Sequence, residues 1–175
     1  MKNERKILYL SVLINFVIGV ILGIVLFFGQ IRSGKGIVQN MYEYDTDVSV
    51  TDFIRMMWAS VLWLLSVFIS YGILRAKHIH PVIIIRGCVN SFSVLYVLYL
   101  FGLKEAAVAF IPQCFTILPM LLMFSAETIY VQSQRENQSA GILFKKSDIV
   151  RIFALSLLSS GAEVLIFKAF CTYLF

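Results

Sequence analysis

Charged residues are scarce in this sequence. Of its 175 residues only 14% are charged, while 59% are hydrophobic, and the mean hydropathy is +0.85. A water-soluble domain of this length needs more polar residues to cover its surface, so the composition excludes that class and indicates an integral membrane protein. The net charge of +5 comes from basic residues in short loops. We therefore expect no nucleic-acid partner.

Cysteine and histidine are also rare, with three and two residues. Cys88, Cys114 and Cys171 all lie in apolar windows, where a thiol behaves as a small apolar side chain. No Cys/His spacing suits a metal, and no dinucleotide fingerprint is present. The stretch "GQIRSGKG" lacks the spacing of a phosphate loop and follows an apolar run instead of a strand. We expect neither a metal nor a cofactor.

What the sequence has instead is long apolar runs, each of which is about 20 residues or longer and can cross a bilayer as a helix. The first run is too long for a signal-peptide core and has no cleavage site after it, so we expect it to be retained. The sequence predicts an all-α integral membrane helical bundle, a single membrane-embedded domain over residues 1–175. Its five transmembrane helices are expected at 7–31, 53–74, 81–102, 106–131 and 149–174.

The basic residues predict the orientation, because cytoplasmic loops are enriched in lysine and arginine. Eight lie on the side of the N-terminus, namely Lys2, Arg5, Lys6, Arg75, Lys77, Arg135, Lys145 and Lys146. Three lie on the other side, namely Arg32, Lys35 and Lys104. We therefore expect a multi-pass protein of a bacterial cell membrane, surrounded by lipid, with a cytoplasmic N-terminus and an external C-terminus. The external loop 32–52 is acidic.

One face of the first span carries small or polar residues at every fourth position. These are Ser11, Asn15, Gly19 and Gly23. Small residues at this spacing let a second helix approach closely, and an amide can form a hydrogen bond across the contact. The stripe predicts a helix-packing seam within the subunit or, alternatively, a seam for a partner protein.

Polar residues inside the spans are costly in lipid and usually face protein or water. Arg86 lies about five residues inside the third span, roughly 8 Å at the helical rise, and Asn90 shares its face. Glu127 lies at a similar depth on the next, antiparallel span. Two interpretations of Arg86 stay open: its side chain reaches the headgroups, or it pairs with Glu127.

The fourth span contains two helix breakers, Pro112 and Pro119. Each removes a backbone donor, and lipid tolerates such breaks only where protein or water satisfies the freed groups. We predict a helix that is kinked or broken at these prolines, with Gln113 turned inward toward Glu163 of the fifth span. A structural hydrogen bond and a proton or ion route are both open for Glu163. The expected intramembrane polar core consists of Arg86, Asn90, Gln113, Glu127 and Glu163.

The central stretch "IIIRGCVNSFSVLYVLYLFGLKEAAVAFIPQCFTILPMLLM", residues 83–123, resembles the core of the stage II sporulation protein M family. That family has a basic-Gly pair opening a helix, a Gly and a Lys at the next turn, then a Pro-Gln pair and a further Pro. The matching positions are Arg86, Gly87, Gly102, Lys104, Pro112, Gln113 and Pro119. The five-span layout is similar more loosely.

The resemblance implies a non-enzymatic membrane scaffold. The namesake of the family holds two peptidoglycan-degrading partners, stage II sporulation proteins D and P, at the engulfing septum, while some relatives are associated with ABC transporters. A subunit of an ABC-type exporter or a small transporter is therefore the second interpretation, since broken helices with enclosed polar groups also form transport sites. A homo-oligomer is a further assembly that the sequence allows.

A third interpretation is an intramembrane cysteine peptidase in which His78 or His80 activates Cys88. This chemistry needs the imidazole within hydrogen-bond reach of the thiol. In a straight helix, the eight residues from His80 to Cys88 span roughly 12 Å along the axis. A re-entrant stretch would be needed to bring the two together.

Overall fold

The computed structural model describes residues 2–32, 50–74, 81–136 and 146–174, and over these ranges the chain forms α-helices and no strands. The helices are α1 (Lys2–Arg32), α2 (Val50–Leu74), α3 (Pro81–Phe101), α4 (Leu103–Phe115), α5 (Ile117–Glu136) and α6 (Lys146–Leu174). The all-α bundle that the sequence predicts is confirmed.

Five helical stretches of the described residues are long and apolar enough to cross a membrane. They are Lys6–Gln30, Phe53–Ser70, Pro81–Phe101, Leu103–Val131 and Ile149–Ala169. Helices α4 and α5 together form the fourth span. Since each span overlaps its predicted range almost completely, the chain is a multi-pass membrane protein.

The interior of the bundle is an apolar core to which five of the helices contribute. Val12 of α1, Leu64 of α2, Ile83 of α3, Leu121 of α5 and Ile152 of α6 are all nearly inaccessible. Lipid tails are as apolar as these side chains, so burying them gives little drive for association in a membrane. Close packing and hydrogen bonds between helices must therefore hold the bundle together.

The outer surface is equally apolar. In α1, for example, Ile7, Val25 and Phe28 are each about 60% exposed. Exposed side chains of this size would promote aggregation in water, whereas hydrocarbon solvates them. The apolar outward faces of the helices therefore agree with the membrane environment that the composition indicates.

A single residue, Gly102, connects α3 to α4. Its φ of 102° lies in the left-handed region, which glycine enters without the steric cost that a Cβ would impose. The backbone hydrogen bonds continue across it, from Gly102 N to the Leu98 carbonyl and from Ala106 N to the Gly102 carbonyl, both at 3.2 Å. This turn keeps α4 beside α3 and in contact with α6.

Candidate functional site

Among the described helices, α1 and α3 make the most extensive contact, and the glycines of α1 lie at its centre. A Cβ placed on Gly19 would collide with the carbonyl oxygen of Ile84, and one placed on Gly23 would collide with the carbonyl oxygen of Cys88. The two backbones therefore approach each other at positions where only glycine fits.

Helix α3 contributes its own small residues to the same contact. A Cβ on Gly87 would collide with the carbonyl oxygen of Phe16, and Ser91 Oγ donates a hydrogen bond to the Val20 carbonyl of α1 at 3.0 Å. Glycine and serine four residues apart on α3 thus interlock with the glycines on α1. Such reciprocal small-residue packing is a common way for helices to associate in lipid.

The rest of the predicted stripe lies one to two turns before these glycines. Asn15 is buried, and its Nδ2 donates a hydrogen bond to the Ser11 carbonyl of the same helix at 2.8 Å. Ser11 is partly buried. Because α3 occupies the glycine half of the stripe, the geometry supports the interpretation of a packing seam within the subunit.

The side chain of Arg86 on α3 is directed toward α2 and α6. Its guanidinium carbon lies 4.9 Å from the centroid of the Trp63 indole ring on α2. The opposite charge of Glu163 on α6 lies near enough to act on the guanidinium electrostatically, but no hydrogen bond or ion pair joins the two side chains among the described residues. The ring face and the opposite charge both stabilise a cation where lipid offers no hydration. The side chain of Arg86 therefore packs against α2 and carries its charge toward Glu163, instead of only reaching the headgroups.

A group of serines continues this polar region between α2 and α6. Ser60 and Ser160 are fully buried, with their hydroxyl oxygens 3.5 Å apart. Ser60 donates its proton to the Met56 carbonyl at 2.9 Å, so Ser160 is the donor in the contact between the two hydroxyls. Ser156 is also fully buried, and its Oγ has no hydrogen-bond partner among the described residues.

The fourth span is broken at Thr116, between the two prolines. Thr116 has φ −115° and ψ −84°, and it separates α4 from α5. Its backbone N–H and its Oγ1 both donate to the Pro112 carbonyl, at 3.1 and 2.8 Å. Pro119 lies in the first turn of α5, where a backbone N–H would have no helical partner. The predicted break is thus present, and the two bonds from Thr116 complete the last turn of α4.

Gln113 and Asn90 are both partly buried. The sequence predicts a bond between Gln113 and the fifth span near Glu163. Helices α4 and α6 do contact each other, but among the described residues no hydrogen bond joins Gln113 to α6. The charge that interacts with Glu163 is that of Arg86.

Glu127 forms an ion pair with a residue that the sequence analysis did not single out. Its Oε2 accepts a hydrogen bond from Arg151 Nη2, which joins the end of the fourth span to the start of the fifth. The predicted pair between Arg86 and Glu127 is therefore wrong. The prediction rested on the similar depth of the two residues in the membrane. In the folded bundle, α6 lies next to Glu127, and Arg86 is directed toward Trp63.

A cavity of about 310 Å³ lies beside this ion pair. Helices α1, α5 and α6 enclose it, and its lining consists of Tyr9, Ala126, Glu127, Tyr130, Val131 and Arg151. The side chains of Arg151 and Glu127 are 53% and 43% exposed. The cavity therefore presents two charges and two phenols at one end of the bundle.

Cys88, the proposed nucleophile of the peptidase interpretation, is partly buried within α3. Helix α3 continues without interruption from Pro81 to Phe101, so the described part of the chain offers no re-entrant stretch near this thiol. His78 and His80 lie outside the described residues. Among the described residues, no group of three or more His, Cys, Asp or Glu could hold a metal ion.

Sequence reasoning missed two residues of these sites, Trp63 and Arg151. Arg151 had a detectable signal, since it is a charge just inside the fifth span, next to the end at which Glu127 leaves the fourth. The sequence contained no signal for Trp63, because a tryptophan in an apolar helix can contact lipid as well as another helix.

In comparisons with known proteins, no family model, no curated protein and no solved structure matches this chain.

Proposed function

We propose that this chain is a non-enzymatic membrane subunit that holds partner proteins in a complex. One observation carries this proposal: the small and polar residues of α1 and α3 are used in packing these two helices, with Gly23 against the Cys88 carbonyl and Ser91 Oγ bonded to the Val20 carbonyl. A transport site instead needs polar groups that face an ion or substrate. Here these groups of α1 and α3 face each other.

The partners follow from the resemblance to the stage II sporulation protein M family. We propose peptidoglycan-degrading partners of the type of stage II sporulation proteins D and P, or an ABC transporter. Because the small-residue faces of α1 and α3 pack against each other, a partner must bind another surface. The acidic loop with Glu43, Asp45 and Asp47 is a candidate, but these three residues lie outside the described ones. With a cytoplasmic N-terminus, this loop faces the outside, where wall enzymes act.

Photo-crosslinking in native membranes tests this function. A photoreactive residue at the exposed Phe115 or Leu165 reports on the outer surface, and one at the buried Ser160 serves as the matched control. We expect a wall hydrolase or a transporter subunit to be crosslinked from the exposed positions only. If only lipid is captured from these positions and from loop residues 43–47, the chain is not a scaffold.

Transport is the second candidate, and the opposite charges of Arg86 and Glu163 inside the bundle favour it. Arg86 and Glu163 lie within the third and fifth spans, where charges are rare unless they have a function. The unpartnered Ser156 hydroxyl lies two turns before Glu163 on α6. Proton flux into liposomes that contain the purified protein tests this candidate. Flux that Glu163→Gln abolishes would support transport, and the absence of flux in the wild type would contradict proton transport.

A further inference from the structure

The cavity beside the Glu127–Arg151 pair lies near the surface of the membrane. Tyr9 is three residues after the start of the first span, and Arg151 is two residues after the start of the fifth. Val131 is the last residue of the fourth span. The three helix ends meet at the same end of the bundle, since all three residues line one cavity. This end lies at the depth where lipid headgroups begin, and tyrosine is enriched at that depth.

The ion pair leaves much of its hydrogen-bonding capacity unused. Arg151 donates from Nη2 to Glu127 Oε2, and no other described residue bonds to either side chain. A guanidinium carries five donors and a carboxylate has two oxygens. The remaining donors of Arg151 and the Oε1 of Glu127 are thus available to a ligand, since both residues line the cavity and both side chains are about half exposed.

The charges of the cavity indicate what kind of ligand fits. Arg151 and Glu127 together have no net charge, so a purely anionic ligand would be attracted by one and repelled by the other. A zwitterion with a phosphate and a primary ammonium complements both, because the phosphate can accept from Arg151 while the ammonium donates to Glu127. Tyr9 and Tyr130 also line the cavity, and a tyrosine ring attracts an ammonium.

We propose that this cavity binds the headgroup of a zwitterionic phospholipid with a primary ammonium, as in phosphatidylethanolamine. The cavity volume of about 310 Å³ lies at the lower end of the range of roughly 300–1,000 Å³ that is typical of small-molecule sites. A membrane lipid is the source because Val150 and Phe153, which flank Arg151 along α6, expose apolar side chains on which acyl chains can lie.

Native mass spectrometry of the purified full chain tests the proposal without any mutation. Phosphatidylethanolamine, phosphatidylcholine and phosphatidylglycerol with identical acyl chains are added in turn at the same concentration. We expect phosphatidylethanolamine to bind the most tightly, since the choline headgroup has no N–H donor and the glycerol headgroup has no cation. Equal binding of the three lipids, or stronger binding of phosphatidylglycerol, overturns the proposal.

Variants then assign the binding to this cavity. The double variant Glu127→Gln/Arg151→Gln should lower the affinity for phosphatidylethanolamine about tenfold, the size expected for the loss of a charge-assisted hydrogen bond. Lys6→Gln removes an exposed charge near the same helix end but outside the cavity lining, and it should leave the affinity unchanged. Unchanged affinity in the folded double variant, or an equal loss in Lys6→Gln, would show that the lipid binds elsewhere.

Discussion

The guanidinium of Arg86 lies over the indole ring of Trp63, with its central carbon 4.9 Å from the ring centroid. This contact joins the consecutive helices α2 and α3, and Glu163 of α6 supplies an opposite charge in the same region. Membrane helices gain little from apolar burial, so such polar contacts contribute a large share of the specificity of their arrangement.

We predict that Trp63→Leu destabilises the bundle by about 1–2 kcal/mol, because it removes the aromatic face beneath a poorly hydrated cation. Trp58→Leu is the matched control. Trp58 is half exposed, and its ring contacts Phe153 instead of a charge. Its replacement should therefore lower the unfolding free energy less than Trp63→Leu does. Thermal unfolding in detergent measures both changes. Equal losses in the two variants would mean that the cation–π contact contributes nothing.

Removing the charge of Arg86 or of Glu163 alone should lower the unfolding free energy more than removing both charges. Arg86→Met or Glu163→Gln alone leaves a charge inside the bundle without an opposite charge near it, whereas the double variant leaves no charge. A double-mutant cycle of unfolding free energies measures the coupling. Additive losses would show that the two residues act independently.

The ion pair between Glu127 and Arg151 should behave differently. Because both side chains are about half exposed, water and headgroups screen their charges. We expect Glu127→Gln to change the unfolding free energy by at most about 1 kcal/mol. The same unfolding assay provides the comparison, and a loss as large as that of Glu163→Gln would mean that the cavity is drier than its exposure indicates.

Gly19→Leu and Gly23→Leu should separate α1 from α3. Both side chains would enter the backbone of α3, so a loss of about 1–3 kcal/mol or more is expected from overpacking. Gly29→Leu is the control on the same helix, since a Cβ there meets nothing within 4 Å. Disulfide crosslinking of cysteines introduced on α1 and α3 reports the separation. If Gly29→Leu disrupts the bundle equally, the effect does not come from this seam.

Replacing both Pro112 and Pro119 by alanine should straighten the fourth span and weaken assembly without preventing insertion. The backbone donors that return allow the helix to continue through Thr116. Spin labels at Leu103 and Met123, both exposed, measure the change. In a continuous helix their Cα atoms would be about 30 Å apart, and the wild type should give a shorter distance. Equal distances in the two proteins would contradict this prediction.

Cys88→Ser should leave function intact. A packing thiol and a hydroxyl are nearly isosteric, whereas a nucleophilic thiol is not replaceable in this way. Partner retention in native membranes is the measurement. Complete loss at normal membrane levels would overturn the scaffold proposal in favour of the peptidase.

The sequence alone determined the fold class and the spans, because hydrocarbon demands long apolar helices and penalises charges wherever they occur. It also located the helix break, since a proline acts on its own backbone. It could not assign partners to the charges. Arg86 and Glu127 match in depth, yet only the packing of α2 and α6 decides that Arg86 lies over Trp63 while Glu127 binds Arg151. The depth of a residue in the membrane follows from its position along the span, which the sequence shows directly. The rotation of each helix about its own axis, which decides the direction of a side chain, depends on contacts between residues far apart in the chain.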